Sequence, residues 1–77
     1  MNLKFVGSKI RTVRQIKGVS QEALAVKLNI SQAAFSKIEN GKTVLTGAHL
    51  EVILRELNIT DKTLRDFDLN EIFKEGT

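Results

Sequence analysis

Apolar residues recur along this chain at helical spacing. Val6, Ile10, Val13 and Ile16 fall at steps of 4, 3 and 3, which puts them on one side of a helix with about 3.6 residues per turn. Lys17-Gly18 marks its predicted end, because glycine readily takes the left-handed backbone past a helix terminus and lysine suits the negative end of the dipole. Ser20 is the predicted N-cap of a second helix, with Glu22 in its first turn and Leu24, Ala25 and Leu28 as its inner face. Asn29, the non-glycine type that best tolerates a left-handed turn, follows. Ser31 then caps a third helix whose inner face is Phe35 and Ile38 and which stops at Asn40-Gly41. Thr46 caps a fourth, whose Leu50, Ile53, Leu54 and Leu57 follow the i, i+3, i+4, i+7 pattern. Thr60 opens a fifth segment through Leu64 and Phe67, and Asp68-Leu69-Asn70-Glu71 has the spacing of a capping box before Ile72 and Phe73. A last helical turn is therefore predicted in the C-terminal extension, 66–77. With no proline, repeat or linker, the chain reads as an all-α single domain over residues 1–77.

Composition narrows the chemistry. A chain of 77 residues cannot fill two cores, and a domain of this size buries only about 60% of its unfolded surface. Hydrophobic residues at 42% and charged residues at 27% fit a globular fold. The absence of cysteine excludes disulfides and thiolate metal sites. Apolar runs reach three or four residues, against the roughly 20 that a membrane span needs. Met1 to Lys9 contains no apolar secretory core, so a cytoplasmic location is the expectation. His49 is the only histidine and has no metal-ligand spacing around it, the five glycines are scattered, and Ser20, Ser31 and Ser36 have no local base. No catalysis, cofactor or metal is expected.

Charge divides the chain. Residues 1–44 hold eight basic and two acidic residues, a net +6, whereas residues 45–77 hold four basic and seven acidic, a net −3. A basic half suits a polyanion; the plain alternative is a solvated surface with chance asymmetry.

The second and third segments are joined by only Asn29-Ile30-Ser31, which forces a steep crossing, and the small Ala25 permits close approach. The spacing over about 20–40 is that of a helix-turn-helix. If Ser31 is the cap, Gln32 stands at the exposed tip of the third helix, where its amide can pair with adenine N6 and N7. Ser36 and Lys37 lie opposite Phe35 and Ile38, and Lys37 has the reach for guanine or a phosphate. Gln21 opens the second helix, where free N–H groups favour a phosphate. The plain alternative for Gln32 and Lys37 is solvation.

The runs Ser20-Gln21-Glu22-Ala23-Leu24-Ala25, Leu28-Asn29-Ile30-Ser31-Gln32 and Phe35-Ser36-Lys37-Ile38-Glu39-Asn40-Gly41-Lys42 resemble the phage-repressor and Cro-like (XRE) family. The likeness extends from about Ile10 to Thr60 and includes Arg14 and the Leu50-to-Leu57 stripe. It implies a compact five-helix, lambda-repressor-like domain that binds duplex DNA, usually as a dimer, with its third helix in the major groove. It also implies an ion pair of Arg14 with Glu39, with Arg14 near a phosphate, and a backbone-gripping loop at Asn40, Lys42 and Thr43. The sequence departs from the family at Asn29, where glycine is common, and at Ala33 and Ala34, where larger polar residues are common. Ala33 can still meet a thymine methyl.

The function expected on this reading is sequence-specific double-stranded DNA binding by a repressor-like regulator. The alternatives are the antitoxin of a toxin–antitoxin pair and a protein-interaction module with vestigial DNA binding. A homodimer is expected because one recognition helix reads only a few base pairs. Leu69, Ile72 and Phe73 are its candidate interface, whereas Phe67, following Leu64 at i+3, suits the monomer's own core equally well.

Overall fold

The computed structural model describes residues 3–67, with side chains from Val6 onward. Five helices run in order: α1 (Leu3–Ile16), α2 (Gln21–Leu28), α3 (Gln32–Glu39), α4 (Gly47–Leu57) and α5 (Asp61–Asp66). No strand occurs among the described residues. The last turn expected after Phe67, and with it Leu69, Ile72 and Phe73, lies outside them.

Four of the helices start on a hydroxyl cap. Ser20 Oγ accepts from the Ala23 N–H at 3.0 Å, Ser31 Oγ from Ala34 at 3.0 Å, Thr46 Oγ1 from His49 at 3.1 Å and Thr60 Oγ1 from Thr63 at 3.0 Å. Each satisfies a backbone donor that has no partner within its helix.

Four helices also end alike. Gly18, Asn29, Gly41 and Asn58 have φ of 71°, 58°, 74° and 56°. The next residue in each case returns its N–H to a carbonyl five residues back: Val19 to Arg14, Ile30 to Ala25, Lys42 to Lys37 and Ile59 to Leu54, at 2.9–3.0 Å. This pairing satisfies the last carbonyls of the helix and reverses the chain sharply. Val19, Ile30 and Ile59 then pack on the core. Lys42 alone is polar and exposed.

The core consists of Val6, Ile10, Val13, Leu24, Ala25, Leu28, Phe35, Ile38, Ile53, Leu57 and Leu64. Helix α3 packs against both α1 and α2, α2 also meets α4, and α1 also meets α5. Ala25 is buried on the inner face of α2, with Leu24 and Leu28. One stripe residue departs from expectation: Ile16 is 65% exposed. Helix α1 ends there, and the turn at Gly18 brings Val19 onto the core instead. In α4, Ile53 and Leu57 are buried while Leu50 and Leu54 are half-buried. Phe67 is half-buried against the core.

Gly7 determines how near α1 comes to the end of α3. A Cβ there would lie 2.5 Å from the Ile38 carbonyl oxygen and closer still to that of Glu39. Any other residue at this position would push the two backbones apart.

Candidate nucleic-acid interface

Burial of Phe35 and Ile38 fixes which side of α3 faces outward. Gln32, Ala33 and Lys37 are exposed, and Ser36 is half-buried. Gln32 is the first residue of the helix, so its side chain stands at the tip just beyond the Ser31 cap. At the other end, the turn through Gly41 leaves Asn40, Lys42 and Thr43 exposed. The outer face of α3 thus carries amide, methyl and ammonium groups in one row.

Beneath this row lies a buried carboxylate. Glu39 has no solvent exposure, and Arg14 is only 8% exposed. Glu39 Oε2 accepts from Arg14 Nε at 2.7 Å, while Oε1 accepts from Arg14 Nη2 at 3.2 Å and Gln21 Nε2 at 2.7 Å. Arg14 Nη1 also donates to the Val19 carbonyl at 2.8 Å. A charge this far from water is tolerated only when paired and hydrogen-bonded on both sides. The ion pair thereby ties α1 to the C-terminal end of α3.

Two sequence expectations change. The guanidinium of Arg14 is turned inward, so Arg14 is a structural residue and the phosphate contact expected of it is not assigned. Gln21 is half-buried and bonds on both sides, to Glu39 and, through its Oε1, to Gln32 Nε2 at 3.4 Å. One of its amide hydrogens, with the N-terminal N–H groups of α2, is what remains for a phosphate. Asn40 is also engaged, accepting from Arg11 and donating to Ser36 Oγ at 3.5 Å.

Arg11 was missed by sequence reasoning. Its Nε lies 3.5 Å from Glu39 Oε1, and its side chain is partly exposed beside Asn40. The signal was its i, i+3 relation to Arg14, which puts both on the face of α1 turned to α3. The local charge is strongly positive: of the two acids in residues 1–44, Glu39 is buried and paired, which leaves Glu22 as the exposed one. Among the described residues no group of side chains is arranged to hold a metal ion, and no helix is long and apolar enough to cross a membrane.

A helix-turn-helix family model matches residues 10–64. The chain belongs to the XRE-type helix-turn-helix family. It is thus a DNA-binding transcriptional regulator, of a family that is typically non-enzymatic. Solved structures agree on the fold. The wild-type restriction-modification controller protein C.Esp1396I is 33% identical, with 86% of this chain and 85% of that chain covered and a TM-score of 0.73. A tyrosine-to-alanine variant of that controller gives 35% identity, 96% coverage of both chains and a TM-score of 0.77. The clp gene regulator ClgR from C. glutamicum, at 22% identity, covers 83% of this chain and 82% of its own with a TM-score of 0.76. No curated protein sequence matches the chain. The expected five-helix, lambda-repressor-like fold and XRE-type helix-turn-helix are those observed.

Proposed function

We propose that this protein is a sequence-specific, repressor-like regulator that occupies duplex DNA as a homodimer in the cytoplasm, with α3 in the major groove. The observation that carries the reading is the outward row on α3. Gln32, Ala33, Ser36 and Lys37 meet base edges, while Lys42, Thr43, Asn40 and the start of α2 at Gln21 grip the phosphates on either side. Lys42 suits this role because its turn matches those that bury Val19, Ile30 and Ile59, yet it places a cation in solvent. The identity of 33–35% to a restriction-modification controller over most of both chains favours a related task, control of a restriction-modification operon. No comparable observation favours the antitoxin or the protein-interaction reading.

Selection of bound sites from a random duplex library, followed by salt-dependent titration, tests this. Gln32→Ala and Lys37→Ala should each weaken the selected site by about 1–3 kcal/mol while leaving non-specific binding nearly unchanged. Equal losses on specific and random DNA would reduce both residues to phosphate contacts. Sedimentation of the saturated complex should find two chains on a palindromic site; one chain per site removes the dimer.

A further inference from the structure

Two arginines of α1 reach the C-terminal end of α3, and they end in different surroundings. Arg14 is buried against Glu39, whose two oxygens accept from Arg14 and Gln21 at 2.7–3.2 Å. Arg11, one turn earlier, stays on the outer side. Its side chain is 39% exposed, its Nε is 3.5 Å from Glu39 Oε1, and its Nη2 donates to Asn40 Oδ1. We propose that Arg11 is a DNA-phosphate contact of this domain, the one that α1 contributes beside the turn of Asn40, Lys42 and Thr43.

A guanidinium carries its N–H donors in a planar fork and has no acceptor. Asn40 takes one donor of Arg11, and Glu39 is filled by nearer partners. The Nη1 hydrogens and the second Nη2 hydrogen make up the outer end of the fork, a shape that grips two oxygens of one phosphate. Asn40 is neutral, so it holds this fork without offsetting its charge. It is itself held, since its Nδ2 donates to Ser36 Oγ on α3 at 3.5 Å. The guanidinium is thus oriented before a ligand arrives, which reduces the side-chain freedom lost on binding. The plain alternative is a brace between α1 and α3 that touches no ligand. Lys9 supplies a control on the same helix. Two positions from Arg11, it lies about 200° round the axis, where its Nζ donates to the Arg65 carbonyl of α5 at 2.6 Å.

This inference rests on the reading of α3 and its following turn as the DNA-facing surface, and the experiment separates the two. The full-length chain is titrated with its selected duplex and with a random duplex across a salt series. The readout is the slope of log affinity against log salt, which a loss of folded fraction leaves in place. Arg11→Gln should weaken both duplexes by the same factor and flatten the slope by about 0.9, one phosphate's share. Arg11→Met keeps the aliphatic stem and should do the same, which covers the case in which Arg11→Gln fails to fold. Arg11→Lys, which restores a cation without the fork, should restore the slope, and Lys9→Ala should leave it unchanged. Duplexes carrying one neutral methylphosphonate at a time locate the contact: one phosphate should matter to the parent protein and no longer matter to Arg11→Gln. Lys42→Ala, at a phosphate contact of the underlying reading, should flatten the slope too. If it does while the Arg11 variants keep the parent slope, Arg11 is only a brace and the inference falls. If neither position flattens the slope, the DNA-facing reading of this surface falls first, and the inference with it.

Discussion

The two halves of this domain bury different kinds of group. Where α1, α2 and α3 meet, the interior holds an ion pair, bonded by a half-buried glutamine, and a backbone crossing with no room for a Cβ. Where α4 and α5 close the other side, the fully buried residues Ile53, Leu57 and Leu64 are all aliphatic, and the ion pairs Lys62–Asp66 and Arg65–Asp61 stay on the surface. Aliphatic burial is the simpler route to stability, since removing two charges from water often costs as much as their attraction returns. A polar interior constrains orientation, because its members satisfy one another in one arrangement. Here that arrangement fixes α3, which carries Gln32 and Lys37. Directional interactions sit beneath α3, and non-directional ones suffice elsewhere.

The largest effect expected from this contrast comes from removing one member of the buried pair. Glu39→Ala leaves the Arg14 guanidinium nine-tenths buried without its carboxylate, which should cost about 3–5 kcal/mol. A domain of this size has on the order of 4–12 kcal/mol in total, so urea unfolding should find the variant barely folded. Arg14→Ala strands the carboxylate instead and should cost a similar amount, moderated by Arg11 at 3.5 Å from Glu39. A loss below about 1 kcal/mol in both would mean that the site is hydrated and the contrast is false.

Two substitutions of intermediate effect probe the backbone crossings. Ala25→Leu forces a larger side chain in at a buried position on α2, which packs against both α3 and α4, and should cost roughly 1–3 kcal/mol. Gly7→Ala adds a single methyl group where α1 touches the Ile38 and Glu39 carbonyls and should cost a comparable amount, although alanine is the better helix former. Gly47→Ala at the start of α4 is the control: nothing lies within 4 Å of the added carbon, so stability should hold or rise by up to about 1 kcal/mol. Thermal melts of the pair that move alike would show that the α1–α3 contact is loose.

The helices were legible in the sequence because caps and turn residues act locally. Ser20, Ser31, Thr46 and Thr60 each accept a bond three residues on, and Asn29 and Gly18 take the left-handed backbone expected of their types. Periodicity identified most of the core for the same reason, and it failed at Ile16, where the decision depends on where neighbouring helices end. The outward row on α3 followed from Phe35 and Ile38 pointing inward. What stayed hidden depends on contacts between segments distant in sequence. Gly7 meets residues 31 and 32 positions away, Arg11 joins Asn40 across 29, and the link of Gln21 to both Glu39 and Gln32 requires two helices to be placed first. An isolated glutamine at the start of a helix reads as a phosphate ligand, whereas folding turns it into a connector.

The smallest expected effect lies on the far side of the contrast. Arg65 is 57% exposed and pairs with Asp61 one turn earlier at 2.6 Å. An exposed i, i+4 pair contributes about 0.3–0.5 kcal/mol. A hydrogen bond ties this part of α5 to α1, with Lys9 Nζ donating to the Arg65 backbone carbonyl at 2.6 Å, and alanine keeps that carbonyl. Arg65→Ala should therefore lower stability by no more than about 0.5 kcal/mol, and the loss should shrink as added salt screens the pair. A buried pair is screened far less, so the cost of Glu39→Ala should persist across the same salt series. Parallel urea melts of both variants at low and high ionic strength measure the difference directly. If the two losses decline together, Arg14 and Glu39 share the solvent of Arg65 and Asp61, and the domain has one kind of interior rather than two.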